Sequence, residues 1–418
     1  MEYGLVGHPL GHSFSQEIHE AIGGYAYEIK DLDQNDFIQF MKEKKFRGIN
    51  VTIPYKEKVT EYLDFIDPVA QEIGAVNTVI NINNKLYGYN TDIFGITDLI
   101  KRNIRDLQNK TALILGSGGT SKTAEFALKK LGCKKIYKAS RKKRTENTEN
   151  VTRYVTYDDL PFISEEISLI INTTPVGMYP KSETSPIDLD SFKKTEAVID
   201  AVYNPIKTKL VYKAESLGIK SESGLYMLVS QAVKASELFS DTKIKNDLKE
   251  KIFNRVLKTR QNIVLTGMPG SGKTTLGKNV AIITNKPFID TDEIIENNYG
   301  HPSEIIKNYG EKRFRDIETE AIKSIMLNTG TVIAVGGGAI LRDENIEYLK
   351  RNGVLIFIDR DISEISPTDD RPLSSDKEKL KKIYKERYDR YINTADIKIK
   401  AVDNIEKNVK KITEEFFK

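Results

Sequence analysis

An α/β chain with parallel sheets flanked by helices is predicted by three observations. Apolar β-like runs lead twice into a glycine-rich turn and then a helical pattern: residues 112–115 into Gly116-Ser-Gly-Gly-Thr120, and residues 262–265 into Gly267-Met-Pro-Gly-Ser-Gly-Lys-Thr274. Strand-like and helical stretches alternate almost throughout, the pattern of sheets that bind ligands at the carboxyl ends of their strands. The 418 residues also exceed what one core serves, and ~150 residues per domain gives two to three domains.

Taken in order, β runs at 3–6, 27–29, 48–52 and 78–82 build a first lobe over residues 1–92. The glycine turn at Gly116 opens a second lobe, 93–224, closed by a helix at 225–240. Residues 241–261 are highly charged and helix-compatible, with apolar positions at Ile244, Leu248, Ile252 and Leu257, and read as a helical connector. A further α/β domain fills 262–418. No repeat at a fixed period is found, and the polar stretch 141–150 reads as an exposed loop.

Composition narrows the function classes. With 39% hydrophobic and 30% charged residues the chain is an ordinary globular protein. Its net charge of +4 suggests no nucleic-acid partner. Met1 leads into a polar segment without the apolar core of a signal peptide, and runs such as 354–358 fall far short of the ~20 residues of a membrane span. A cytoplasmic protein that does not cross a membrane is expected. Cys133, the single cysteine, has no internal disulfide partner and reads as a small packed residue. His8 and His12 have a metal-like spacing, but Pro9 and Gly11 break any helix that would align them, so no zinc is expected.

In a dinucleotide fold Gly116 makes the tight turn, Gly118 admits the pyrophosphate to backbone N–H groups, and the helix N-terminus adds positive potential. The third small position is Ser121. The next strand ends at Ser140-Arg-Lys-Lys-Arg144, four cations and no acid where an NAD site presents an acid, which favours NADP; a solvated charge run is the alternative.

At this point the residues match a family. Gly7-His-Pro-Leu-Gly-His-Ser-Phe-Ser15, Asn50-Val-Thr-Ile-Pro-Tyr-Lys56, Gly74-Ala-Val-Asn77, Tyr89-Asn-Thr-Asp92, Asn172-Thr-Thr-Pro-Val-Gly177, Asp200-Ala-Val-Tyr-Asn-Pro205 and Gly224-Leu-Tyr-Met-Leu-Val-Ser-Gln231, in that order, resemble shikimate dehydrogenase over residues 1 to about 240. The resemblance implies a two-lobed enzyme with a Rossmann-like NADP domain. It assigns catalysis to Lys56 and Asp92; an ammonium at Lys56 can protonate a developing alkoxide and Asp92 can orient it, whereas an ordinary surface ion pair is the bland alternative. It places Ser13, Ser15, Thr52, Asn77, Tyr203 and Gln231 on the substrate, and Gly116, Ser117, Gly118, Gly119, Thr120, Ser140, Arg141, Lys142 and Gly224 on NADP(H). Oxidation of quinate with NAD is a rival that the basic run and the Ser13/Ser15 pair disfavour.

The second glycine loop is a full Walker A sequence. Its amides would cradle nucleotide phosphates, with Lys273 on the β and γ phosphates and Thr274 on Mg²⁺. Downstream, Phe288-Ile-Asp-Thr-Asp292, Gly310-Glu-Lys-Arg-Phe-Arg315, Val335-Gly-Gly-Gly338, Arg371-Pro-Leu373 and Arg387-Tyr-Asp-Arg-Tyr391 resemble shikimate kinase over 262–418, a P-loop domain with a parallel sheet flanked by helices. The resemblance places Gly270, Ser271, Gly272, Lys273, Thr274, Thr275 and Arg371 on ATP, and Thr274 and Asp290 on Mg²⁺. Asp292 would hold and deprotonate the acceptor hydroxyl, Arg315 and Arg387 would clamp the substrate carboxylate, and Gly336, Gly337 and Gly338 would let backbone approach it. Asp359 reads as a strand-end residue. The stretch before Arg371 is short for this family and carries Glu364 where an adenine-stacking arginine is often found, so a raised Michaelis constant for ATP is expected.

Together the resemblances imply consecutive chemistry in one chain, from 3-dehydroshikimate to shikimate with NADPH and from shikimate to its 3-phosphate with MgATP. The partners are then small molecules, and a homo-oligomer is compatible with the sequence. The alternative is a dehydrogenase carrying an ATP-sensing P-loop module that transfers nothing.

Overall fold

The computed structural model describes residues 1–10, 13–142, 151–365 and 377–418. The chain divides into two compact units, Met1–Val256 and Leu257–Lys418.

In the first unit, one sheet has the spatial order Glu28–Asp31, Tyr3–Gly7, Gly48–Val51, Thr78–Ile82, Lys85–Tyr89, Phe65–Ile66. The first three strands are parallel, and Gly48–Val51 turns antiparallel against Thr78–Ile82. Val6, Ile49, Val51, Phe37, Met41 and Leu86 form its core. The second sheet is wholly parallel, in the order Lys220–Glu222, Ala197–Asp200, Leu169–Asn172, Thr111–Leu115, Lys135–Ala139, Thr152–Val155. This is the doubly wound order whose direction of winding reverses beside the first strand, Thr111–Leu115. All five of that strand's residues are buried, as expected for an unbroken apolar run covered on both faces. Its carboxyl end delivers the turn at Gly116 to the topological switch point.

Two helices pack closely across this unit: Asp92–Asn103 and Leu225–Ser240. Their backbones meet at Gly95, where an added Cβ would lie 2.5 Å from the Met227 carbonyl oxygen and 3.3 Å from Gln231 Cβ. A mid-helix glycine costs roughly 0.5–1 kcal/mol relative to alanine, and here it permits that approach. The stretch predicted as a connector holds the helix Asn246–Arg260. Its first half is tied to the first unit, with Lys249 on Asp98 at 2.6 Å, and with Arg102 and the Tyr226 hydroxyl on Glu250 at 3.1 and 2.6 Å.

The second unit holds one parallel sheet in the order Phe288–Asp290, Val332–Ala334, Asn262–Thr266, Gly353–Asp359, Ile397–Lys400. Ile263, Leu265, Ile356 and Ile358 carry its core, and the strand feeding the P-loop is central. Asp359 ends its strand and pairs with Lys398 at 3.0 Å. Cys133 is buried. Among the described residues, no helix is long and apolar enough to cross a membrane.

Candidate active sites

In the first unit, Lys56 Nζ donates to Asp92 Oδ2 at 2.6 Å. The pair is largely shielded, at 26% and 12% side-chain exposure, which separates it from a solvated surface bridge. Asp92 opens the helix Asp92–Asn103, so its carboxylate sits at the positive end of that helix. Asn77 Nδ2 donates to Asp92 Oδ1 at 2.9 Å and to Gln231 Oε1 at 3.4 Å, and the Thr91 N–H fixes the Asn77 amide through Oδ1 at 2.6 Å. Four residues singled out from sequence, Lys56, Asp92, Asn77 and Gln231, thus form one hydrogen-bonded cluster.

Ser13 Oγ donates to Ser15 Oγ at 3.0 Å, and Phe14 between them packs on Tyr203 with ring centroids 5.3 Å apart. Burial pushes the Tyr203 hydroxyl pKa up, so it remains a neutral donor. Thr52 follows the strand Gly48–Val51, with its methyl against Gly7, where an added Cβ would sit 2.5 Å away. His12 lies outside the described residues.

The cofactor side follows the strand Thr111–Leu115. Gly116 has φ 111°, a conformation that favours glycine, and Ser121 Oγ donates back to its carbonyl at 2.9 Å. Ser117 and Gly118 lead into the helix Gly119–Lys130, which Thr120 continues; a Cβ on Gly118 or Gly119 would meet nothing within 4 Å. Open space over a helix N-terminus suits a pyrophosphate. At the end of the next strand Ser140 Oγ donates to the Lys142 carbonyl at 2.6 Å, with Arg141 and Lys142 exposed beside it. Lys143 and Arg144 lie outside the described residues. Gly224 caps the helix Leu225–Ser240, and a Cβ there would be 2.2 Å from the Ala201 carbonyl oxygen.

In the second unit a cavity of about 370 Å³ runs from the P-loop to Arg315 and Arg387. Gly270 and Gly272 take φ 80° and 89° to turn the loop into the helix Lys273–Thr284, which Thr274 and Thr275 continue. Lys273 Nζ donates to the carbonyls of Gly267 and Met268, each at 3.0 Å. Ser271 Oγ is buried without a hydrogen-bond partner among the described residues. Thr274 Oγ1 donates to Asp290 Oδ2 at 2.7 Å, a pair of hard oxygens that fits Mg²⁺, and Asp290 Oδ1 accepts from the Asp292 N–H at 2.9 Å.

Asp292 and Glu318 both face Gly336, where an added Cβ would lie 2.8 Å from Asp292 Oδ1 and 2.7 Å from Glu318 Oε1. An added Cβ on Gly337 would meet Pro269, and one on Gly338 the Arg315 guanidinium. Arg315 Nη1 donates to Glu318 at 2.8 Å and Nη2 to Glu311 at 3.1 Å, while its Nε is buried without a partner among the described residues. Burial works against the Arg315 charge, but Glu318 and Glu311 together outweigh it; burial likewise raises the Glu318 pKa. Arg387 Nη1 and the buried Tyr391 hydroxyl both donate to the Gly337 carbonyl, at 3.2 and 2.5 Å.

Glu318 and Tyr391 were not singled out by sequence. Glu318 stands three residues after Arg315 on one helix, a spacing that could have suggested the pair. Arg371 lies outside the described residues. Arg360, also not singled out, follows Asp359 and donates to the Ser271 carbonyl at 3.4 Å; Glu364 accepts from it at 3.5 Å.

Comparisons with known proteins fit this geometry. A family model for the shikimate dehydrogenase substrate binding domain matches residues 5–79, and one for shikimate kinase matches 269–417. A shikimate dehydrogenase (NADP(+)) of Clostridium beijerinckii is 38% identical over 262 residues, covering 60% of this chain and 96% of that protein. One of Methanococcus maripaludis is 38% identical over 261 residues, covering 57% and 92%. The crystal structure of shikimate dehydrogenase 1 from Peptoclostridium difficile aligns with a TM-score of 0.57 at 39% identity, over 61% of this chain and 98% of that one. The Thermus thermophilus enzyme, solved in complex with NADP(H) and shikimate, aligns at 0.53 and 30% identity, over 61% and 99%.

Proposed function

The chain belongs to the shikimate dehydrogenase family and carries a shikimate kinase domain in the same polypeptide, and we propose that its two sites act in succession: reduction of 3-dehydroshikimate to shikimate, then phosphorylation of the shikimate 3-hydroxyl. NADPH supplies the hydride of the first reaction, and MgATP the phosphoryl group of the second.

In the first site Lys56 Nζ delivers a proton to the ketone oxygen as its carbon is reduced. Asp92 holds the ammonium in place and Asn77 holds Asp92. Ser13, Ser15, Thr52, Tyr203 and Gln231 bind the acid and its hydroxyls. On the cofactor side, Gly116 to Thr120 receive the pyrophosphate, Gly224 borders the nicotinamide end, and Ser140, Arg141 and Lys142 pair with the 2′-phosphate.

In the second site Arg315 and Arg387 fork the shikimate carboxylate, and Asp292 accepts the proton of the attacking hydroxyl. Thr274 would hold Mg²⁺, with Asp290 beside the ion through water, and Lys273 neutralises charge on the transferring phosphoryl. Phosphoryl transfer rests on positioning, which the Gly336–Gly338 turn supplies by seating Asp292 and Arg315 around it. A cytoplasmic location is part of the same proposal, supported by the small molecules that both reactions use.

The observation that carries the reading is that each unit brings candidate residues together from its own chain: Lys56 with Asp92 in the first, and Lys273, Thr274, Asp290, Asp292, Arg315 and Arg387 around one cavity in the second. The test is shikimate-dependent ADP formation by the full chain, run beside Asp292→Asn, and NADPH oxidation by 3-dehydroshikimate. ADP formation that the variant loses is the expected result; ATP binding without shikimate-dependent ADP would make the second unit a sensor.

A further inference from the structure

The wall of the kinase cavity built by the helices Thr291–Tyr299 and Pro302–Ile325 is apolar at Pro302, Ile306 and Phe314, and polar at Glu296 and His301. His301 occupies the N-cap of the second helix, and its ring orientation is set there. Nδ1 accepts from the Ser303 N–H at 3.3 Å and contacts Ser303 Oγ at 2.5 Å. A backbone N–H can only donate, so Nδ1 is the unprotonated nitrogen and the ring proton of the neutral imidazole sits on Nε2. Nε2 has no hydrogen-bond partner among the described residues, in a ring that lines the cavity. The helix terminus itself is not an anion site: Pro302 has no N–H, Ser303 is taken by Nδ1, and Glu304 and Ile305 donate to the His301 carbonyl at 3.0 and 3.2 Å.

Resting on the shikimate kinase reading, the polar groups of the acceptor can be assigned in turn. Its carboxylate belongs to Arg315 and Arg387 and its reacting hydroxyl to Asp292. Two ring hydroxyls remain, and on this wall the donor that lines the cavity is His301. We infer that His301 is a specificity-determining residue of the kinase site, whose Nε2–H donates to one of the two ring hydroxyls that are not phosphorylated. A donor poised for a hydroxyl is left unpaired by an analogue lacking it, which is how such sites discriminate.

Two substitutions separate the two nitrogens. His301→Asn keeps an acceptor at the cap and removes the Nε2 donor; His301→Gln places an amide donor near the Nε2 position and gives up the cap. Shikimate-dependent ADP formation by the full chain is measured with shikimate, 4-deoxyshikimate and 5-deoxyshikimate, and the melting temperature is recorded. Expected is a KM for shikimate raised about five- to tenfold in His301→Asn, with the KM for MgATP within twofold. His301→Gln should lie near wild type in KM but melt lower. One deoxy analogue should be used equally by wild type and His301→Asn. An unchanged KM in His301→Asn, a KM that tracks the lost cap instead, or a loss of equal size with shikimate and both analogues each overturns the inference. Failure of wild type to phosphorylate shikimate would refute the kinase reading itself.

Discussion

Replacing Gly338 by alanine tests the arrangement of the kinase site at its tightest point. The new Cβ would stand 1.9 Å from Arg315 Nη1 and 2.2 Å from Cζ. Gly338 has φ −102°, so the backbone tolerates alanine and only space is at stake. An ordinary contact of ~3.5 Å requires the guanidinium to retreat by about 1.6 Å. It has little freedom to do so, because Glu318, itself 1% exposed, holds it at 2.8 Å and Glu311 at 3.1 Å. Either the fork leaves the position proposed for it on the substrate or it leaves Glu318. A charge-assisted hydrogen bond contributes roughly 1.5–3 kcal/mol, so the KM for shikimate should rise about ten- to hundredfold. Coupled ADP formation gives KM for shikimate and for MgATP separately, and NADPH oxidation by the same preparation reports on the first unit. A KM for shikimate within twofold of wild type, with all else intact, would show that Arg315 does not bind the carboxylate from where it stands.

Lys56→Met should lower 3-dehydroshikimate reduction by roughly 10²- to 10⁴-fold, as expected when a positioned proton donor is lost, while shikimate phosphorylation continues. Thr274→Val, nearly isosteric, removes the hydroxyl beside Asp290 and should shift the Mg²⁺ dependence of ADP formation upward by at least about tenfold, read from a Mg²⁺ titration. His19 is fully buried, with its ring stacked on Tyr27 at 3.9 Å, and burial lowers its pKa to about 3. Its unfolded form takes up a proton near pH 6.5, so its contribution to stability is complete above that pH and is lost as pH falls toward 3. Urea unfolding of the first unit at pH 7 and pH 5 should therefore show a difference about 2 kcal/mol smaller in His19→Phe than in wild type; equal differences would count against a neutral buried imidazole. Gly224→Ala drives a Cβ to 2.2 Å from the Ala201 carbonyl oxygen and should lower the melting temperature of the first unit and raise its KM for NADPH, by thermal shift and steady-state kinetics.

Contiguous chemistry was legible in the sequence. The Walker loop and the Asp290–Asp292 pair are short strings whose geometry is local, and the apolar runs at 112–115 and 262–265 announced the buried parallel strands Thr111–Leu115 and Asn262–Thr266. What burial alone distinguishes was not legible. Glu318 lies in a charged helix where nothing local marks it as buried, yet packing leaves it 1% exposed as the counter-ion of Arg315. His19 sits in a short amphipathic stretch, and nothing local says that Tyr25 and Tyr27 enclose its ring. The charged composition of 241–261 suggested a helical connector and no partner; Arg102 and Asp98, some 150 residues earlier, hold the first half of its helix in place. Tyr391 was quoted within a motif, but its hydroxyl acts on the Gly337 carbonyl, a partner 54 residues away.

The close meeting of two helix backbones at Gly95 constrains how this half of the protein can drift. Any side chain there would push on Met227 and on Gln231, one turn further along the facing helix, and Gln231 reaches Asn77 with only a 3.4 Å bond. The smallest substitution would thus be felt in the orientation of a substrate-side amide on another element. A position with no side chain at all thus constrains both helices, and a mutational scan would find it intolerant although it lies outside the residues assigned to substrate and cofactor.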